Sequence, residues 1–130
     1  MDFICPDCRQ TDLKIKSSIA LPADSRSDEI ALQIVVCSNC GLRAIAVYEE
    51  SRRGSLESES WDHTGYHLNR ADFDLLNSDL KNCPSPSKPD CRCDVHQRWG
   101  KKDANGRWRG LSDVPLFGGF MMELSGFRNK

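Results

Sequence analysis

A chain of 130 residues with a net charge of −1 has room for one compact domain or two very small ones, and is too short for an elaborate enzyme with its own cofactor domain. Leu, Ile, Val and Phe together number only 28 of the 130, so the apolar core is thin and a crosslink must supplement it. No run approaches the roughly 18 apolar residues of a membrane span, and Met1-Asp2-Phe3-Ile4 has neither the basic nor the apolar region of a signal peptide. The expectation is a cytoplasmic protein with no membrane partner.

The near-neutral total conceals an asymmetry. Residues 1–91 hold 10 Lys/Arg against 15 Asp/Glu, whereas residues 92–130 hold 8 against 4. The basic end is either a contact face or the packing complement of the acidic part. The seven cysteines, clustered and odd in number, read as metal ligands in a reducing compartment better than as disulfides.

In chain order the first feature is Cys5-Pro6-Asp7-Cys8. Residues 13–21 then alternate, with Leu13, Ile15, Ile19 and Leu21 on one face and Lys14, Lys16 and Ser18 on the other, which predicts a half-buried strand. After a polar turn over residues 22–28, Ile30, Leu32, Ile34 and Val36 alternate with Ala31, Gln33 and Val35 in a second strand. That strand runs into Cys37-Ser38-Asn39-Cys40-Gly41, where Gly41 suits the left-handed backbone of a metal turn. A third strand follows over residues 42–48. Two Cys-x-x-Cys pairs about thirty residues apart let four thiolates close a tetrahedron around zinc, so Cys5, Cys8, Cys37 and Cys40 are predicted as one structural zinc site.

Over residues 3–50 the chain resembles the zinc-ribbon fold group. The resemblance implies two cysteine knuckles whose backbone amides point at sulfur. The second knuckle fits the pattern well, and the first departs from it in having Arg9 where glycine is frequent.

Residues 49–60 are polar and read as a connector, dividing a ribbon of residues 1–50 from residues 51–130, which are expected to pack with it as one unit. Next comes the densest aromatic and histidine segment, with Trp61, His63, Tyr66 and His67 as candidates for binding a partner. The same segment could instead pack the ribbon against a helix, hold an open-site metal, or pair Asp62 with His63 or His67 for acid–base chemistry. A helix is predicted from an Asn69 cap to about Asn82, with Asp72 completing the cap, Leu68 and Phe73 as a staple, and Phe73, Leu76 and Leu80 as the buried stripe. Pro84 ends it.

The remaining three cysteines fall with one imidazole in the pattern Cys83-x7-Cys91-x-Cys93-x2-His96, a second four-ligand set expected to hold a second zinc ion. A redox role is the alternative for Cys91 and Cys93. It is disfavoured for Cys5 and Cys8, because no helix pattern follows them to lower a thiol pKa. Arg98, Trp99, Lys101, Lys102, Arg107, Trp108 and Arg109 interleave two tryptophans with five cations, a pattern that could stack bases and neutralise phosphates, or simply pack beside the second metal. Turns are expected at residues 103–106 and 118–119, with short strands at 107–111 and 120–124.

No nucleophile elbow, phosphate loop or His-Glu-x-x-His helix is present. The sequence thus predicts an α+β protein holding two zinc ions. Its expected role is a non-enzymatic adaptor for a protein partner or for self-association, with nucleic-acid binding and metal- or thiol-dependent catalysis as alternatives.

Overall fold

The computed structural model describes residues 2–51 and 60–124. Five strands form: β1 (Leu13–Leu21), β2 (Glu29–Cys37) and β3 (Arg43–Ser51), which carry the Ile and Val residues that favour a pleated sheet, and β4 (Ser60–His67) and β5 (Gly119–Met121), which carry none. They form one antiparallel sheet in the order β1-β2-β3-β4-β5. Two helices, α1 (Arg70–Lys81) and α2 (Asp94–Trp99), complete a small α+β fold. Among the described residues no helix is long and apolar enough to cross a membrane.

The sheet buries both faces, each in its own cluster. On the helix face Ile19, Leu21, Ile30, Leu32, Ile34 and Ile45 meet Phe73, Leu76 and Leu80 of α1 and Val95 and Trp99 of α2. On the opposite face Leu13, Val35, Cys37, Ala44 and Ala46 are covered by Phe3, Cys5 and Met122. A thin inventory of apolar residues suffices because β2 contributes to both clusters, Ile30, Leu32 and Ile34 to one and Val35 and Cys37 to the other.

The alternation of residues 13–21 is broken. A bulge between Ile15 and Ser17 places Leu13 opposite Cys37 and Ile15 opposite Val35, but Ile19 opposite Leu32 and Leu21 opposite Ile30. The extra residue shifts the side-chain parity, so Leu13 and Ile15 lie on the face away from Ile19 and Leu21 instead of sharing one.

Nor does the sheet stop at residue 50. Glu49, Glu50 and Ser51 belong to β3, Ser60 begins β4, and residues 52–59 of the expected connector lie outside the described residues. β4 aligns Trp61 with Glu50, His63 with Tyr48 and Gly65 with Ala46. Beyond it β5 sets Phe120 opposite Gly65, where the ring occupies the place of a Cβ: a methyl on Gly65 would come within 2.4 Å of it. Phe3 bridges both Leu13 and Leu124, so the N-terminal segment joins the start of β1 to the stretch after β5.

The α1 helix begins as predicted. Asn69 Oδ1 accepts the Asp72 N–H at 2.8 Å while Asn69 Nδ2 donates to Asp72 at 2.9 Å, and Leu68 and Phe73 both pack on the core. Phe73, Leu76 and Leu80 are its buried apolar residues. The α2 helix was not predicted, because six residues are too few to show a 3.6-residue period. The turn at 103–106 forms, with Gly106 N–H donating to the Asp103 carbonyl at 3.0 Å. The strand expected at 107–111 reduces to an isolated bridge between Lys102 and Trp108, and that expected at 120–124 to β5 and the Leu124 bridge.

Candidate metal centres

The first quartet is built from two knuckles with matching backbone bonds. Cys5 N–H donates to the Gln10 carbonyl at 2.8 Å and Arg9 N–H to that of Cys5 at 2.9 Å; likewise Cys37 N–H donates to Leu42 at 2.9 Å and Gly41 N–H to Cys37 at 3.0 Å. Both turns need a residue at positive φ, and these are Gly41 at 83° and Arg9 at 65°. The first knuckle therefore adopts the glycine conformation without the glycine.

Sulfurs sit 3.6 Å apart for Cys5 and Cys40 and 3.8 Å for Cys8 and Cys37. Four thiolates at about 2.3 Å from a tetrahedral zinc ion would be about 3.8 Å apart. The backbone N–H groups of Asn39 and Cys40 point at Cys37 Sγ, at 3.4 and 3.5 Å, and the Asn39 side-chain amide points at Cys8 Sγ at 3.4 Å. Cys5 and Cys37 are buried, whereas Cys40 is exposed.

The second quartet hangs on the edge strand β1. Cys83 follows the Asn82 cap of α1, and the turn from Ser85 to Lys88 and on to Cys91 is closed by two 3.1 Å backbone bonds. Cys93 is the N-cap of α2, its sulfur accepting the His96 N–H at 3.4 Å. Cys83 Sγ lies 3.9 Å from Cys91 Sγ and 3.5 Å from Cys93 Sγ, and His96 Nδ1 lies 3.3 and 3.4 Å from Cys83 and Cys93.

The other ring nitrogen fixes the tautomer. His96 Nε2 is 2.8 Å from the Ala20 carbonyl, which can only accept, so Nε2 carries the proton and Nδ1 turns its lone pair toward three sulfurs. Once the thiols ionise, four electron-pair donors face one another with no proton among them. That arrangement fits a cation. In each quartet the four ligand atoms lie within 4.8 Å of one another, so each could hold a metal ion.

One thiol in each set is already acidic. The Asn39 amide and the Gln10 N–H lower Cys8 to about 7. Burial opposes the ionisation of Cys93, but the His96 backbone N–H that its sulfur accepts favours the thiolate and helps hold the thiol below its ordinary value. Burial pushes Cys83 up to about 11, and Cys40, despite the Leu42 N–H, is driven to about 12 by the partial desolvation of its sulfur within the cluster and by the neighbouring sulfurs of Cys5, Cys37 and Cys8. A thiolate available at neutral pH gives an incoming ion its first ligand.

The 61–67 segment is strand β4, and the strand alternation divides its candidates. Trp61, His63 and His67 share one face, and Tyr66 lies on the other, partly buried against the helix-face core. His63 is held by a 2.7 Å contact with Gln33 and edge-on rings of Phe3 and Tyr48. Burial lowers its pKa, only partly countered by Asp62. His67 packs on Phe120, and Trp61 stays 60% exposed. Asp62 occupies the face opposite His63 and His67, where it accepts from Thr64 at 3.0 Å.

Both tryptophans of the basic segment are buried, with satisfied indole N–H groups: Trp99 Nε1 donates to Asp79 at 2.9 Å and Trp108 Nε1 to the Trp99 carbonyl at 2.7 Å. The expected stacking platform is core, because each large ring finds a hydrogen-bond acceptor inside. Three of the arginines face carboxylates, Arg98 on Asp79, Arg107 at 3.6 Å from Asp24, and Arg109 at 3.5 Å from Asp113. Lys101 and Lys102 are exposed.

Sequence reasoning missed the Ala20 carbonyl behind His96 and Gln33 behind His63. A backbone acceptor 76 residues away carries no compositional signal, and the polar Gln33 amid apolar β2 was the one available hint. No protein-family model matches the chain, and neither a curated protein nor a solved structure matches it. Its class rests on its own geometry: a small α+β protein with two Cys/His clusters, the first in a ribbon-like setting, each able to hold a metal ion.

Proposed function

We propose that the protein is a zinc-binding, non-enzymatic interaction module, in which two closed metal sites rigidify a thin core and the outer surface engages a protein partner or a second copy. One observation carries this reading: each cluster gathers four protein ligand atoms within 4.8 Å of one another, enough to fill a tetrahedral zinc shell without a substrate. Soft thiolates with at most one imidazole select zinc over the oxygen-loving cations.

Catalysis by the β4 residues finds little support, since Asp62 is turned away from the two histidines it would assist. Nucleic-acid binding loses its stacking groups to the core and three of its five cations to carboxylates. The test is native mass spectrometry of reduced, full-length protein with elemental analysis. Two zinc ions per chain, whose removal by chelator collapses the near-ultraviolet circular dichroism, are expected; a chain that keeps its tertiary signal without metal would overturn the reading.

A further inference from the structure

Between α1, α2 and the turn at residues 109–113 lies a pocket of about 240 Å³. Leu75, Trp99 and Gly110 contribute to its chiefly apolar wall, and Arg98, Lys101 and Arg109 stand around it with one carboxylate, Asp113. Leu75 is 51% exposed, although its neighbour Leu76 fills the core. Such a residue contributes little to folding.

The charges are not equivalent. Arg98 is engaged by Asp79 and Arg109 by Asp113, while Lys101 has no ion-pair partner among the described residues. After pairing, one uncompensated cation stands at the pocket, within a C-terminal stretch that carries 8 Lys/Arg against 4 Asp/Glu. The volume lies below the roughly 300–1,000 Å³ of whole small-molecule sites, so it suits a single side-chain anchor. Trp108 does not line the pocket, and Trp99, only 9% exposed, gives it a small apolar patch but no open ring face on which a nucleobase would stack.

We propose that this pocket docks an extended acidic peptide segment of a protein partner, seating one large apolar side chain against Leu75 and Trp99 and setting a flanking carboxylate at Lys101. The inference rests on the interaction-module reading and gives that module a place and a ligand chemistry. Apolar burial supplies the attraction, and charge selects the flanking sequence.

The test uses full-length, zinc-loaded protein and fluorescein-labelled dodecapeptide pools with a central Leu, Phe or Trp, flanked in one pool by Asp/Glu and in the other by Lys/Arg. Anisotropy should show binding of the acidic pool alone. Lys101→Glu should weaken it about tenfold, the scale of one charge-assisted contact, and raise affinity for the basic pool. Leu75→Glu should abolish binding of the acidic pool. Both positions are exposed, and zinc content with far-ultraviolet circular dichroism verifies that the variants are folded.

The proposal is overturned if the acidic pool does not bind, or if its binding is indifferent to both substitutions. It is equally overturned if the two variants instead weaken binding of a polyuridine oligonucleotide, or if Leu75→Glu dissolves a dimer seen by sedimentation. Metal content is counted before peptide is added. A chain with fewer than two zinc ions refutes the parent reading, whereas a fully loaded chain that ignores the peptides refutes only this one.

Discussion

Two residues show how single side chains carry this fold. Arg9 holds a left-handed conformation that an L side chain adopts at a cost of about 1–2 kcal/mol. Arg9→Gly should remove the side-chain strain and, after the flexibility glycine adds to the unfolded chain, leave the protein unchanged or more stable by up to about 1 kcal/mol, read from zinc-loaded thermal melts. Asp24 has its carboxylate fully buried, accepting the N–H groups of Ser27 at 2.6 Å, Trp108 at 2.7 Å and Arg26 at 2.8 Å. Burial alone would raise its pKa, but those donors and the charge of Arg107 hold it below the usual carboxylate value.

Because the folded pKa of Asp24 is depressed, its stabilisation is fully present above the unfolded value of about 3.9 and is lost as pH falls through the folded one. Asp24→Asn would set an amide N–H or a weaker acceptor against those donors and should cost about 2 kcal/mol in denaturant melts. That gap should stay constant from pH 8 to pH 6, where Asp24 remains ionised; a gap that narrows there would contradict the assignment.

Among elements, α1 was legible because its cap, staple and stripe are all local. The α2 helix was not, since its six residues draw their order from Cys93 at the cap and from Val95 and Trp99 in the core. The bulge in β1 escaped for a different reason: Leu13, Ile15, Ile19 and Leu21 alternate in sequence whether or not a residue is looped out, and the register is set by β2. Strand β4, with Thr64 its one β-branched residue, owes its conformation to its neighbours on both sides.

The fit of Phe120 over Gly65 ties β5 to β4 and can be tested as a pair. Gly65→Ala should destabilise by about 1–3 kcal/mol through the clash. In the Phe120→Ala background the same substitution should cost far less, so a double-mutant cycle that adds to zero would argue against the contact.

For the molecule as a whole, both ligand quartets were legible in the spacing of Cys and His, because thiolate geometry requires short local turns. How the second quartet joins the sheet was not, since it depends on the main chain of β1. On the proposed two-zinc reading, His96→Ala should lower the zinc count from two to one and raise hydrogen exchange in Ala20, Val95 and Trp99 while sparing the first quartet. Uniform exchange across the sheet would mean instead that the two clusters form one cooperative unit.

The seat of that second cluster has a consequence for handling the protein. Ala20 donates its N–H to the Pro86 carbonyl at 2.7 Å and gives its own carbonyl to His96, so the loop of the second quartet masks the outer edge of β1 at Ala20. With zinc in the quartet as proposed, stripping the ion would free this part of the edge for edge-to-edge pairing between molecules, with the apolar rows of β1 and β2 behind it. Chelator in a storage buffer should therefore produce turbidity that zinc, added early, reverses; the ion would act as a solubility guard as well as a crosslink.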